Sequence, residues 1–191
     1  VRGKDDPEPS VIQFSETVTG TVIAGDSGYG LRVFDQKSDD AAQFSHIDRY
    51  DHAPEWVVTA QWREIPGGAV MGFDHLKDEG QARDEVIPGD IVMEYDGETY
   101  TLSAFKAGKA LQLVFADATS GVDTYSVGRF LFVAPHPDGT ITLDFNYAVL
   151  PPCAFSYQYN CPLPPKNNRL PFAITAGEKM VMAASGPLHP E

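Results

Sequence analysis

Turn-forming residues interrupt this chain so often that few segments have room to be more than a strand. Short runs rich in β-branched and aromatic residues alternate with clusters of Gly, Asp, Asn and Pro, the pattern of strands joined by tight turns. Residues 11–14 and 17–24 read as strands, and Gly25-Asp26-Ser27-Gly28 turns the chain into a third at 29–34. In 56–62 the alternation places Trp56, Val58, Ala60 and Trp62 on one face. Pro66-Gly67-Gly68 reads as a turn, and 77–85 as an exposed loop or short helix. Segments 91–95 and 99–105 flank Asp96-Gly97, which supplies the positive φ of a type I′ hairpin turn. A strand at 111–115 precedes a polar turn at 117–121. Segments 129–134 and 140–145 flank Pro137-Asp138-Gly139 and read as a second hairpin. Residues 173–175 and 180–183 read as short closing strands. The best helix is brief, at 39–44, where Ser38 or Asp39 can cap it.

About ten short strands with few helices predict an all-β, mainly antiparallel fold, a β-barrel or a β-sandwich. With 191 residues and no long linker, the expectation is a single β domain over 1–191 with a loose tail through residue 9. A chain of this size hides about 70% of its unfolded surface and needs neither disulfide nor metal to fold.

Charge narrows the function classes. Twenty-seven Asp and Glu stand against 14 Lys and Arg, a net charge of −13, and no basic cluster offsets that field, so nucleic acid is not an expected partner. No stretch approaches the ~20 apolar residues that cross a bilayer as a helix, so no membrane partner is expected. No basic stretch followed by an apolar run marks a signal peptide, which gives a cytoplasmic expectation. The chain begins at Val1 rather than Met and is expected to be trimmed. Oligomeric state is not legible.

The pattern changes at Asp144. Six of the 15 prolines fall between 151 and 171, and a proline-stiffened run of this length cannot join a sheet interior. Long ordered loops of this kind lean toward function. On that reading Asp144, Asn146, Tyr157, Asn168, Arg169 and Glu178 rim a pocket, joined by Tyr125 and Arg129 beside Gly128 if their strand pairs with that of Asp144. Arg129 or Arg169 would hold the carboxylate or phosphate of a small organic ligand by its fork, and Arg169 is expected in a partly buried pair with Asp144 or Glu178. The competing reading is that these polar groups satisfy the loop's own backbone. Cys153 and Cys161 share the loop and are expected close in space, as a disulfide or as thiols. His46, Asp48, Asp51 and His52 gather two imidazoles and two carboxylates within seven residues, a weak metal candidate whose spacing matches no standard site. No cofactor is predicted. The functional expectation is a small-molecule-binding β domain with its site near the 144–178 loop, an enzyme on one form of that reading. Its alternatives are a non-catalytic interaction or structural module, and a metalloprotein using His46 and His52.

Asp-Phe-Asn at 144–146, Pro-Pro-Cys-Ala at 151–154, Cys-Pro-Leu-Pro-Pro at 161–165, Asn-Arg-Leu-Pro at 168–171 and Ala-Gly-Glu-Lys at 176–179 resemble the signature of a bacterial and archaeal family, the domain-of-unknown-function family numbered 1684. Asp117-x-Thr119-Ser120-Gly121-x-x-Thr124-Tyr125 and Gly128-Arg129-Phe130 fit the same pattern, as do 5–10 and 56–62 more loosely. The resemblance covers nearly the whole chain and implies no established activity, so no catalytic role transfers. It also implies a further segment ahead of Val1. Where that family has Asp-Phe-Asn-x-Ala-Tyr-Asn-Pro-Pro, Asn146 here is followed by Tyr147-Ala148-Val149-Leu150. A Tyr and an Asn thus give way to apolar residues, and roles of those two side chains do not carry over.

Overall fold

The computed structural model describes residues 2–3, 6–25 and 28–189. The chain divides into two compact units, Val1–Phe44 and Ser45–Glu191.

In the first unit β1 (Val11–Gln13), β2 (Val18–Gly25) and β3 (Gly28–Asp35) form an antiparallel sheet in chain order. The expected turn between β2 and β3 falls on Asp26 and Ser27, outside the described residues. Helix α1 (Asp39–Gln43) starts where its cap signal lies, the Ser38 hydroxyl accepting from the Ala41 amide at 3.3 Å. It stops one residue earlier than expected, because Phe44 begins β4 (Phe44–Arg49).

The second unit is dominated by six antiparallel strands: β5 (Val57–Phe73), β6 (Arg83–Tyr95), β7 (Glu98–Ala107), β8 (Ala110–Phe115), β9 (Arg129–Val133) and β10 (Thr140–Asp144). Their order is β10-β5-β6-β7-β8-β9, and the sheet curls into a half-barrel. A small sheet of β4, β11 (Glu178–Ala183) and β12 (Gly186–Pro187) completes the unit, in the order β12-β11-β4. The all-β class expected from the turn pattern is the class observed.

Local signals hold where a turn determines the pairing. Tyr95 faces Glu98 across Asp96 (φ 50°) and Gly97 (φ 79°), the expected hairpin. Four readings need correction. Pro66-Gly67-Gly68 is a bulge within β5, not a turn. From Glu64 to Ala69 the strand advances five residues while its partner advances two, Gly89 to Ile87, and the positive φ of Gly67 and Gly68 absorbs the excess. Residues 83–85 belong to β6 rather than to an exposed loop. The turn at Asp138-Gly139 forms, with the Asp138 carboxylate accepting from the Thr140 amide at 3.0 Å, but β9 and β10 are not a paired hairpin. They are the two ends of the sheet order, linked beside the turn by the Pro135–Ile141 bridge and the bond from the His136 amide to the Thr140 carbonyl at 2.8 Å, and Pro135 and Pro137 offer no amide to extend a ladder. Finally, 173–175 is not a strand, because Asp117 and Arg129 take the main-chain groups of Ile174.

Both faces of the sheet are covered. Ile91, Met93, Leu102, Leu113, Leu131 and Ile141 fill the concave core. On the other face Phe105, Val114 and Phe130, joined by Phe73 and Ile87 of the long β5–β6 arm, pack against Leu150, Cys153, Cys161 and Val181. The proline-rich run is therefore a strap that supplies the second core with its cover.

Candidate functional site

The strap leaves β10 through a 3₁₀ turn at Phe145–Tyr147. The Asp144 carboxylate accepts from the Asn146 amide at 3.1 Å and from its side-chain nitrogen at 2.9 Å. Asn146 also accepts from the Ala53 amide at 2.8 Å and donates to the Ala53 carbonyl at 3.0 Å. One carboxamide thus ties the strap to the segment ahead of β5.

At the far end another 3₁₀ turn, Lys166–Asn168, places the Asn168 side chain in the interior, with no exposed surface. The ladder between β7 and β8 ends at Ala104 and Leu113. Beyond it Asn168 accepts from the Ser103 amide at 2.9 Å and donates to the carbonyls of Ser103 and Val114, both at 2.8 Å. The carboxamide stands in for a peptide group and continues the pairing by one rung. The strap then runs parallel to the chain after β8: the Ala116 amide donates to the Asn168 carbonyl at 3.1 Å and the Leu170 amide to the Ala116 carbonyl at 2.8 Å.

Arg129 and Asp117 form an ion pair at 2.7 Å with both side chains 0% exposed. The guanidinium lies over the Phe115 ring, 5.3 Å from its centre, and donates to the carbonyls of Ala176, Ile174 (2.9 Å) and Glu178 (3.3 Å). Its Nε is buried with no protein partner. The Asp117 carboxylate also accepts from the Thr119 amide and hydroxyl, at 2.8 and 2.6 Å, and from the Ile174 amide. A buried charge pair is tolerated when its remaining lone pairs and protons are hydrogen-bonded. Here those bonds reach the strap's return leg at three residues.

Glu178 accepts from the Leu150 amide at 2.7 Å and so ties β11 to the outgoing strap. Tyr125 is buried, its hydroxyl donating to the Cys153 carbonyl at 3.3 Å, and burial holds that hydroxyl far above the ordinary phenol range. Tyr157 is 49% exposed, its ring 3.9 Å from that of His189. Arg169 corrects an expectation. It is exposed, and among the described residues no carboxylate lies within ion-pairing distance of it. The buried arginine–carboxylate pair exists, but it is Arg129 with Asp117. Arg129 and Asp144 do not meet on paired strands, since β9 and β10 hold opposite ends of the sheet. The one local signal for Asp117 is the Asp-x-Thr turn twelve residues before Arg129.

Cys153 and Cys161 are brought together as expected: both are buried free thiols, and the Cys153 amide donates to the Cys161 sulfur at 3.3 Å. The hydrogen bond from Cys161 holds the Cys153 thiol down to about 7, while the same bond and burial push Cys161 up.

The four metal candidates are not drawn into one cluster. Asp48 pairs with Lys179 at 2.9 Å, the bond that lowers the carboxylate's pKa and raises the ammonium's, while His46 lies beside the Ser45 hydroxyl at 3.2 Å. Among the described residues no group of three His, Cys, Asp or Glu side chains is placed to hold a metal ion. Likewise, no described helix is long and apolar enough to cross a membrane. A surface depression of about 210 Å³ lies between the β7–β8 turn and the end of β9, lined by Lys106, Lys109, Leu111 and Pro135 among others. None of the candidate residues lines it.

One feature lay outside the candidate set. At one end of the half-barrel Trp56, Tyr95 and Phe172 stack, Tyr95 and Phe172 at 4.1 Å, with Tyr100 edge-on to Phe172 at 5.2 Å. Phe172, Tyr95 and Tyr100 remain half-buried, and Phe172 belongs to the strap.

The family model described as "Protein of unknown function (DUF1684)" matches residues 42–179, a span that contains the whole strap. No curated protein matches the chain. Among solved structures, the chain is similar to the solution NMR structure of an uncharacterized protein of Haloarcula marismortui. The two are 31% identical, the match covers 73% of this chain and 78% of that one, and the TM-score is 0.59.

Proposed function

The chain belongs to this family of proteins of unknown function, so membership brings no activity with it, and we propose from the site itself that the domain is a non-catalytic recognition module whose strap is a structural clasp. The observation that carries this reading is the engagement of the buried and half-buried polar groups. Asn146, Asn168, Asp117 and Glu178 bond to main-chain groups, and Arg129 joins them with four of its five donors. A general acid, base or oxyanion donor has to face a substrate with a proton or lone pair to offer. Recognition then falls to the outer side of the strap, where Tyr147 and Tyr157 are 75% and 49% exposed. Tyrosine suits a protein partner, since it joins an apolar body to a polar tip.

The test replaces Tyr157 with a photo-crosslinking amino acid in the otherwise intact chain. Crosslinking to one protein, lost on Tyr147→Ala with the fold unchanged, supports the reading. A stoichiometric complex with a small molecule held at the strap, seen by native mass spectrometry against a metabolite extract, overturns it.

A second reading keeps a small organic ligand, and the aromatic group around Phe172 favours it. Half-buried ring faces at a barrel end suit a flat or apolar-faced molecule. Quenching of Trp56 emission by such a molecule, abolished by Phe172→Ala, would support this reading over the first.

A further inference from the structure

We propose that Cys153 and Cys161 are a thiol–disulfide exchange site built into the strap, which takes a small disulfide as oxidant and closes into an intrachain bond. The two sulfurs are held by independent anchors. Cys153 lies in the 3₁₀ turn Pro152–Ala154, entered through Pro151 and Pro152, whose rings fix φ. Cys161 is bound on its own side of the loop: its carbonyl accepts from the Leu76 amide at 3.0 Å, and Pro162 bridges to His75. With the Cys153 amide 3.3 Å from the Cys161 sulfur, the second sulfur rests against the first residue's main chain. The two thiols also hydrogen-bond each other, so the sulfurs are neighbours, as a disulfide needs. Neither thiol takes part in the main-chain clasp described above, so the inference stands apart from the proposed function.

The pair is also chemically unequal. The Cys161 thiol donates to the Cys153 sulfur and favours its thiolate, outweighing the burial that opposes it. Cys161 keeps its proton. The thiolate is the nucleophile of exchange, so Cys153 attacks and Cys161 resolves. In the first step the Cys153 sulfur bonds to one sulfur of the small disulfide RSSR, whose S–S bond breaks and whose other half leaves as thiolate. It takes up the proton that Cys161 releases. The Cys161 sulfur then attacks the Cys153 side of the mixed disulfide and expels the second half, which gains the proton Cys153 had already lost to solvent. Two protein thiols and RSSR become one protein disulfide and two RSH, and the two electrons pass to the small disulfide. Both thiols are buried, so the segment between them, which includes Tyr157 and Gln158, opens for the first step.

The full chain, folded, is equilibrated across buffers of oxidised and reduced glutathione, quenched in acid, alkylated and mapped by mass. The expected product has lost two hydrogens, links 153 to 161, and melts roughly 5–10 °C above the reduced chain, as closure of so short a loop predicts. Cys161→Ser should trap glutathione on Cys153, and Cys153→Ser should trap it on Cys161 roughly five- to tenfold more slowly at neutral pH. The proposal is overturned if the folded wild-type chain keeps both thiols in oxidised glutathione while the same chain in urea oxidises. Equal trapping rates in two folded variants overturn the assigned direction of attack. Should either variant fail to fold, the wild-type map alone decides whether the bond forms.

Discussion

The residues that organise the candidate site do so as main-chain substitutes. Removing the Arg129 side chain leaves Asp117 charged and buried without its partner, and broken buried pairs cost about 3–5 kcal/mol. Arg129→Ala is therefore expected to lower stability by about that much in urea unfolding. Arg129→Lys should recover only part, because an ammonium cannot span Asp117 and three carbonyls with one planar fork. Full recovery by lysine would show that charge alone matters. Asn168→Ala is expected to cost about 2–4 kcal/mol by the same measurement, since the Ser103 amide and two carbonyls lose their partner inside the protein. The Asp48–Lys179 pair behaves differently, as both side chains keep contact with water. Asp48 has a depressed pKa, so its contribution is present above the ordinary carboxylate value and is lost as pH falls through the depressed one. Lys179 has a raised pKa, so its contribution is present below the ordinary lysine value and is lost as pH rises through the raised one. Asp48→Asn is expected to cost less than about 1 kcal/mol at pH 7. That difference should vanish in strong acid, which a pH series of melting temperatures would check.

At the scale of elements, the strap depends on close passage of one chain past another. Gly177 has φ +79°, and a Cβ there would lie 2.7 Å from the carbonyl oxygens of both Ala148 and Phe145. Gly139 has nearly the same φ, +81°, with open space around it. Both alanine variants carry the left-handed cost of about 1–2 kcal/mol, but only Gly177→Ala adds a clash with backbone. Gly177→Ala is expected to be the more destabilising by at least about 2 kcal/mol, as a buried overpacked site would be. Equal losses in the two variants would mean that the strap is free to shift.

For the whole molecule, both hydrophobic cores are built entirely from residues of the unit Ser45–Glu191. A chain beginning at Ser45 is therefore expected to fold by itself, with a β-type circular dichroism spectrum and a single cooperative melting transition. A broad, non-cooperative melt of that shorter chain would show that residues before 45 are needed to complete the cores.

What the sequence determined by itself was everything with a short range. The Ser38 cap, the Asp96-Gly97 hairpin and the alternating strand from Val57 to Trp62 each depend on neighbours a few residues away. The turn count then followed, and with it the all-β class. Local signals also brought the two cysteines together, since prolines on either side leave so short a loop few conformations. The tertiary structure decided which strands pair and which way the strap's side chains turn. Thr140 lies opposite Gln61 across the β10–β5 ladder, a choice made by packing of the cores rather than by the Asp138-Gly139 turn beside it. Irregular chain has no periodicity to tell inside from outside, so Asn168 and Arg169, adjacent and both polar, read alike. One is sealed between β7 and β8 and the other lies in solvent, because only the carboxamide matches the geometry of a missing peptide rung. The same blindness put the buried ion pair at Arg169. A charge can be buried only where enough partners converge, and that convergence on Arg129, from Asp117, Ile174, Ala176 and Glu178, exists only once the strap has returned across the sheet.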